Sequence, residues 1–212
     1  MPLQNRVTPD GEIVAIAARG LVMGNRGGAI HDDARCLTRR RWASRQWICC
    51  VLSFKGRRRQ VMTPRRYTEL FFLDEATALA AGHRPCFECR RADALAFATL
   101  WSAAKGLPER PSAPDMDRVL QAERLLPGGA KRTHVVPFAS LPPAAFVRHG
   151  GAPHLVTPDR LFLWTPDGYG PPVPRPADGM AEMLTPPAIA AVLSAGYRPL
   201  LHPTAPALPL DG

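Results

Sequence analysis

The sequence predicts an α+β fold. We expect a small mixed or antiparallel sheet with two helices around a Cys-x-x-Cys zinc knuckle, followed by a proline-rich, β-containing C-terminal part. Three observations support this. Apolar, β-branched runs in the first half precede two helical segments. Short β-like pieces separated by turn residues recur across 145–170. Twenty of the 24 prolines lie beyond residue 100, which marks a change in chain texture.

The strands of the first half are predicted from short apolar runs. Residues 12–24 are rich in Val, Ile, Leu and Ala, and 46–54 form a nearly continuous apolar run. The basic residues 55–59 then read as a hairpin tip, from which 60–63 returns as a second strand. A further strand is predicted at 67–73.

Two helices follow. Asp74 is a good N-cap, residues 75–81 favour helix, and Gly82 suits the left-handed position after a helix end. The Cys-x-x-Cys turn then leads into a second helix at Arg91–Lys105, which has roughly one apolar face.

The rest of the chain divides into a linker and a smaller C-terminal part. We predict a zinc-knuckle domain at 1–106, a linker with a short helix at 107–132, and a small β-rich part at 133–212 that packs on the first. Asp115–Leu126 is the helix of the linker, and a last helix is expected at 185–195, with Thr185 as its cap.

Charge is concentrated in one segment. The formal net charge is +9, and residues 35–66 contain 11 basic residues, ten of them arginine, and no acidic one. Arginine offers a planar fork of donors to phosphate oxygens, so the pattern predicts a surface for nucleic acid, most simply DNA, although a solvated basic face is the alternative. The predicted contacts are Arg39, Arg40, Arg41, Lys55, Arg57, Arg58, Arg59, Arg65, Arg66, Arg90 and Arg91.

The remaining composition narrows the class of protein. There is no run of about 18 apolar residues, so no membrane span is expected. The N-terminal residues lack a signal pattern, and five cysteines are an odd number for a disulfide framework. We therefore expect a cytoplasmic protein whose cysteines bind metal or remain free.

The cysteine spacing predicts a zinc site. Cys86 and Cys89 are separated by two residues and lie at the start of a helix, where free amide groups favour the thiolate that binds metal. Cys49 and Cys50 are adjacent in a strand and should face opposite sides, so one is expected to reach the metal, with Cys50 preferred. Cys36, His31 and His83 remain open as further ligands. The alternatives are small core residues or a thioredoxin-like redox pair.

The run ATALAAGHRPCFECRR, within Tyr67 to Arg91, resembles the second half of the zinc domain of Ada-type DNA methylphosphotriester repair proteins. The resemblance implies a zinc-knuckle scaffold and DNA as the partner. That family places a Cys-x-x-x-Cys pair, which includes its methyl acceptor, before this run. No such pair occurs here, so the resemblance does not carry methyl transfer over to this chain.

Together these observations predict a zinc-binding nucleic-acid-binding protein with a role in DNA repair or regulation. Two alternatives stay open. One is an enzyme acting on a nucleic-acid backbone or base, in the manner of a hydrolase or glycosylase, with Glu69, His31 and Asp32 as catalytic groups. The other is a thiol-based alkyl acceptor or redox protein acting through Cys49 or Cys50.

Overall fold

The computed structural model describes residues 1–57 and 60–207, and within them it has two six-stranded sheets and four α-helices. The strands are β1 Arg6–Val7, β2 Ile13–Val14, β3 Val22–Arg26, β4 Trp47–Val51, β5 Leu70–Phe72, β6 Arg84–Pro85, β7 His134–Pro137, β8 Phe146–His149, β9 Ala152–Val156, β10 Arg160–Thr165, β11 Gly168–Pro174 and β12 Met180–Met183. The helices are α1 Glu75–Ala80, α2 Arg91–Lys105, α3 Ala113–Arg124 and α4 Pro187–Ser194. The fold is therefore of the mixed α+β class.

The N-terminal sheet has the strand order β2-β1-β5-β3-β4-β6 and is mixed. The short strand β6 lies at its edge, parallel to β4, with Ile48 opposite Arg84 and Cys49 opposite Pro85. This pairing brings the chain that follows Pro85 alongside the end of β4.

The predicted hairpin between 46–54 and 60–63 is wrong. Strand β4 is hydrogen-bonded to β3 and β6 instead, and residues 61 and 62 form a turn. Met62 has a φ of +57°, and its N–H donates to the Glu69 carboxylate at 2.8 Å, so this segment cannot continue a strand ladder. Arg58 and Arg59 lie outside the described residues.

The two helices beside the Cys-x-x-Cys turn follow the sequence prediction. The Asp74 carboxylate caps α1 by accepting from the Thr77 N–H at 2.9 Å, and Gly82 has a φ of +88°. Helix α2 buries Ala94, Phe97, Ala98 and Trp101, the i, i+3, i+4, i+7 spacing of one helical face.

The C-terminal sheet is antiparallel, with the order β11-β10-β9-β8-β12-β7. Thr185 does not cap α4, because the N-cap position is Pro186 and the Thr185 hydroxyl accepts from the Phe146 N–H at 2.9 Å. Thr185 therefore links the start of α4 to the sheet.

Helix α1 joins the two halves of the protein. Its six residues are all buried, with Ala76, Leu79 and Ala80 in the large core shared by the helices and the C-terminal sheet. Ala78, from the other side of the same helix, packs in the smaller core of the N-terminal sheet. The residues on either side of α1 are consequently fixed by both cores.

In the described part of the chain, the longest apolar helical stretches are too short to cross a bilayer.

Candidate metal centre

Three cysteines converge at the edge of the N-terminal sheet. The Sγ atoms of Cys50, Cys86 and Cys89 all lie within 4.8 Å of one another. The pairing of β4 with β6 brings them together, since the Cys86 N–H donates to the Cys49 carbonyl at 2.9 Å and so places Cys86 beside Cys50. We call this group the three-cysteine cluster.

The chain around the cluster favours thiolate at two positions. Hydrogen bonds from the Cys50 thiol and from the N–H groups of Cys89 and Glu88 lower the pKa of Cys86 to about 5, although burial opposes the shift. The Cys50 thiol and the Val51 N–H likewise lower the pKa of Cys89. The pKa of Cys50 is raised, because its thiol donates to the other two sulfurs. Two sulfurs that favour the thiolate form beside a third thiol are a set of groups that could bind a metal cation.

The separations suit a tetrahedral metal. A Zn–S bond of about 2.3 Å places two sulfurs of a tetrahedral site about 3.8 Å apart, which is compatible with the 4.8 Å limit found here. Cys50 and Cys89 are half-buried and Cys86 is buried, so the cluster is reached from the surface. Three cysteines are therefore close enough to hold a metal ion. In residues 1–57 and 60–207, the cluster has these three members and no fourth His, Cys, Asp or Glu.

Cys49 is not a member of the cluster. It is buried on the other side of β4, where its Sγ accepts from the Arg90 guanidinium at 3.4 Å. Burial and the Glu75 carboxylate raise the pKa of Cys49, the opposite of what a metal ligand needs. Cys50 is thus the one that faces the candidate metal position, and the two cysteines lie on opposite sides of β4, as strand alternation predicts.

The prediction that Arg90 contacts nucleic acid is corrected by its burial. Its guanidinium forms ion pairs with Glu75 at 2.7 Å and Asp93 at 2.8 Å, and only 7% of its side chain is exposed. Arg90 is therefore a buried residue that connects the end of the Cys-x-x-Cys turn to Glu75 of α1 and Asp93 of α2. The sequence offered no direct signal of this role, because Glu75 lies 15 residues away and an arginine after the turn looks like part of the basic run.

The other suggested ligands lie elsewhere. Cys36 is exposed, and its N–H donates to Asp32 in a local turn. His83 is fully buried between the rings of Phe72 and Trp47, with ring centroids 4.7 and 5.1 Å away. His31 hydrogen-bonds to Thr68. None of them belongs to the three-cysteine cluster.

The three candidate catalytic groups have structural hydrogen bonds. His31 Nδ1 is 2.6 Å from the Thr68 hydroxyl, and its Nε2 is 3.2 Å from the Thr63 carbonyl. The exposed Asp32 accepts from the N–H groups of Ala34 and Cys36, which is the bonding of a local turn. Glu69 is buried, and its carboxylate accepts a hydrogen bond from the Met62 N–H. Arg84 is paired with Asp117 at 2.8 Å.

Most of the basic residues of 35–66 are exposed. We call the following set the arginine surface: Arg39, Arg40, Arg41, Lys55, Arg57, Arg65, Arg66 and, at the start of α2, Arg91. One contact ties it to the candidate metal centre, because Arg57 forms a 2.8 Å ion pair with Glu88, which lies inside the Cys-x-x-Cys turn.

No family model, curated protein or solved structure matches this chain.

Proposed function

We propose that this protein binds one zinc ion through Cys50, Cys86 and Cys89 and binds nucleic acid, with DNA as the favoured partner, in a repair or regulatory role. The observation that carries the proposal is the convergence of the three sulfurs within 4.8 Å at a Cys-x-x-Cys turn. Thiolate is a soft ligand, and sulfur-rich tetrahedral sites select zinc over magnesium or calcium.

The nucleic-acid part of the proposal is supported by position. The ion pair between Arg57 and Glu88 places the basic chain after β4 against the Cys-x-x-Cys turn. A metal held there would order the turn and, with it, the adjoining part of the arginine surface. Exposed arginines close together in the sequence are suited to binding phosphate oxygens. Such contacts do not depend on the base sequence of the nucleic acid.

The metal part is tested by zinc content. Purified wild-type protein should contain one zinc per chain by elemental analysis, and Cys86→Ser should lose it. Cys36→Ser is the matched control, because Cys36 is an exposed cysteine outside the cluster. Equal zinc content in both variants, or none in the wild type, would refute the site.

The nucleic-acid part is tested by the salt dependence of DNA binding. A variant with Arg57, Arg65 and Arg66 changed to Gln should bind duplex DNA of any sequence more weakly. The slope of log K against log salt should flatten by about 0.9 for each lost phosphate contact. The charge-matched control changes three exposed arginines outside this surface, Arg110, Arg118 and Arg160, to Gln. If both triple variants lose the same DNA affinity, the net charge of the protein and not the arginine surface would account for binding.

Alkyl acceptance at Cys50 is a second candidate, favoured by the partial exposure of that cysteine, whereas Cys49 is buried. In that reaction a thiolate sulfur attacks the methyl group of a phosphotriester. The new S–C bond forms as the O–C bond breaks, and the phosphodiester leaves as the anion. Mass spectrometry of the zinc-loaded protein after incubation with methylphosphotriester DNA would show one added methyl group. An unmodified protein would exclude this candidate.

A further inference from the structure

A cavity of about 730 Å³ lies where the two halves of the protein meet, away from the three-cysteine cluster. Its walls come from the β1–β2 turn, the end of β3, the end of α3 and strand β8. The residues that matter for its chemistry are the cations Arg26, Arg41, Arg124, Lys131 and Arg148, the carboxylates Asp10 and Glu12, and the indoles of Trp42 and Trp47. The cavity is therefore cationic and aromatic.

Within the described residues, four of these five cations have no carboxylate partner: the exposed Arg41, and Arg26, Lys131 and Arg124, which are more buried. Arg26 donates to the Gly11 carbonyl at 2.8 Å, and Lys131 donates to the Ala80 carbonyl at 2.5 Å. Arg124, which is fully buried, donates to the Gly82 carbonyl at 2.9 Å. Within the part of the chain that the structure describes, no carboxylate oxygen lies within 4.0 Å of these three, and the Nε of Arg124 has no hydrogen-bond partner.

The two carboxylates of the cavity do not supply the missing charge. Asp10 is paired with Arg148, and Glu12 is exposed at the edge. Burial, and then Arg41, lower the pKa of Arg26 to about 9. Burial also lowers the pKa of Arg124 to about 9; the Asp117 carboxylate opposes this shift, and Arg26 and Arg84 add to it. Burying several cations close together without a counter-charge costs free energy. An anion that binds here would offset the repulsion between them.

The aromatic wall limits the kind of anion. Trp42 is half-buried, and the edge of its ring packs against Gly129, where a Cβ would come within 2.6 Å of the indole. The same Trp42 also borders a second, more apolar hollow of about 540 Å³ with Leu125, Leu126 and Pro127. Trp42 therefore borders both a cationic hollow and a more apolar one, which suits a ligand with an anionic end and a flat apolar body.

We propose that this cavity binds a nucleotide, with its phosphate against Lys131 and Arg41, close to the buried charges of Arg26 and Arg124, and its base against Trp42. A phosphate monoester carries up to two negative charges and several acceptor oxygens, which matches four cations without a carboxylate partner better than a single carboxylate does. A flat base suits the indole. The proposal uses neither the metal centre nor the DNA contacts of the arginine surface, apart from Arg41 at the edge.

Calorimetry with simple probes tests it. The probes are AMP, adenosine, inorganic phosphate and benzoate, in buffer below the Lys131 pKa, which burial and neighbouring cations lower to about 7. The groups facing Lys131 are Asp10, Arg26, Arg124 and Arg148. AMP should bind most tightly. Adenosine or benzoate binding as tightly as AMP would overturn the phosphate assignment, and phosphate alone binding as tightly would overturn the role of Trp42.

Variants separate the cavity from net charge. Lys131→Met should weaken AMP binding by about tenfold or more, whereas Lys105→Met, the same change at an exposed helix end, should leave it unchanged. If Lys131→Met does not fold, Arg41→Gln replaces it, because Arg41 is exposed. Equal AMP affinity in the wild type and in a folded cavity variant would refute the proposal.

A last comparison identifies the source of the phosphate. A short single-stranded DNA with a 5′-phosphate is compared with the same strand lacking it. A preference for the phosphorylated strand that Lys131→Met abolishes, together with weak AMP binding, would identify a strand end as the ligand. Tight AMP binding with no preference between the strands would identify a free nucleotide. Binding of the unphosphorylated strand that Lys131→Met leaves unchanged reports on the arginine surface, so the two proposals can fail separately.

Discussion

The guanidinium of Arg90 and the carboxylate of Glu75 form a 2.7 Å ion pair in which both side chains are almost completely buried. Glu75 begins α1, and Arg90 directly follows the second cysteine of the Cys-x-x-Cys turn. The same carboxylate accepts from the Tyr197 hydroxyl at 2.7 Å and the Leu200 N–H at 2.9 Å. The pair thus connects the candidate metal centre to the last segment of the chain.

Replacing Arg90 with Met should destabilise the protein strongly. The change leaves the Glu75 carboxylate buried without its cation, and breaking a buried pair in this way costs about 3–5 kcal/mol. Urea unfolding of the zinc-loaded protein gives the difference in the free energy of unfolding. Arg118→Met is the control, since Arg118 pairs with Asp115 at the exposed surface. A similar loss in both variants would contradict the role assigned to Arg90.

Gly82→Ala should cost more stability than Gly106→Ala. Both glycines have a positive φ, +88° and +61°, so an alanine is strained at either position by about 1 kcal/mol. At Gly82 the new Cβ would also lie 2.7 Å from the Cδ of Arg124, while nothing lies within 4 Å at Gly106. We expect about 1–3 kcal/mol of additional loss at Gly82. Thermal unfolding measures it, and equal losses would mean that Arg124 moves aside freely.

The two adjacent cysteines of β4 should behave differently. Cys50→Ala removes one sulfur of the three-cysteine cluster and should abolish zinc retention during dialysis against a chelator. Cys49→Ala should retain zinc, because its sulfur contacts Arg90 on the other side of the strand. Elemental analysis after dialysis decides between them. Retention by Cys50→Ala, or loss by a folded Cys49→Ala, would reverse the assignment.

The protein should lose stability in mild acid because of His83. Burial, and then Arg26 and Arg124, lower the pKa of His83 well below its usual value, so the folded protein excludes its proton. Below about pH 6.5 the unfolded chain takes up that proton, and the free energy of unfolding should fall by up to about 1.4 kcal/mol per pH unit. The loss continues until the pH reaches the lowered pKa.

His83→Gln provides the comparison, because it removes the titrating group and keeps an acceptor for Arg26, which now donates to His83 Nε2 at 3.4 Å. Denaturant unfolding across pH 5 to 7 should show a smaller acid loss in the variant than in the wild type. Parallel curves for the two proteins would assign the acid sensitivity to other groups.

Local sequence signals predicted the elements whose causes are local. The Asp74 cap, the glycine at 82 and the spacing of apolar residues from Ala94 to Trp101 are short-range patterns, and they place α1 and α2 correctly. Strand alternation predicted that only one of Cys49 and Cys50 reaches the metal position, and the structure shows that it is Cys50.

The strand partners of β4 and the burial of Arg124 depend on residues far away in the sequence, so local patterns did not predict them. A turn after 46–54 suggested a hairpin, but the two edges of β4 are taken by strands 25 residues before it and 37 residues after it, counted from its first residue. Arg124 looked like an ordinary basic residue in the last turn of an amphipathic helix. Its guanidinium instead lies 3.9 Å over the Trp47 ring, a contact between residues 77 positions apart. No spacing rule connects such positions.

The two carboxylates at the start of α1 affect when the protein can fold during its synthesis. Asp74 and Glu75 obtain donors from Tyr169, Tyr197, Leu200 and His202, residues that leave the ribosome long after α1. Until they emerge, a nascent chain that packed α1 into its core would bury two carboxylates with much of their hydrogen bonding missing. We therefore expect the N-terminal sheet to stay protease-sensitive on stalled ribosomes until residue 202 has cleared the exit tunnel. Folding then completes in one late step, after residue 202 has emerged.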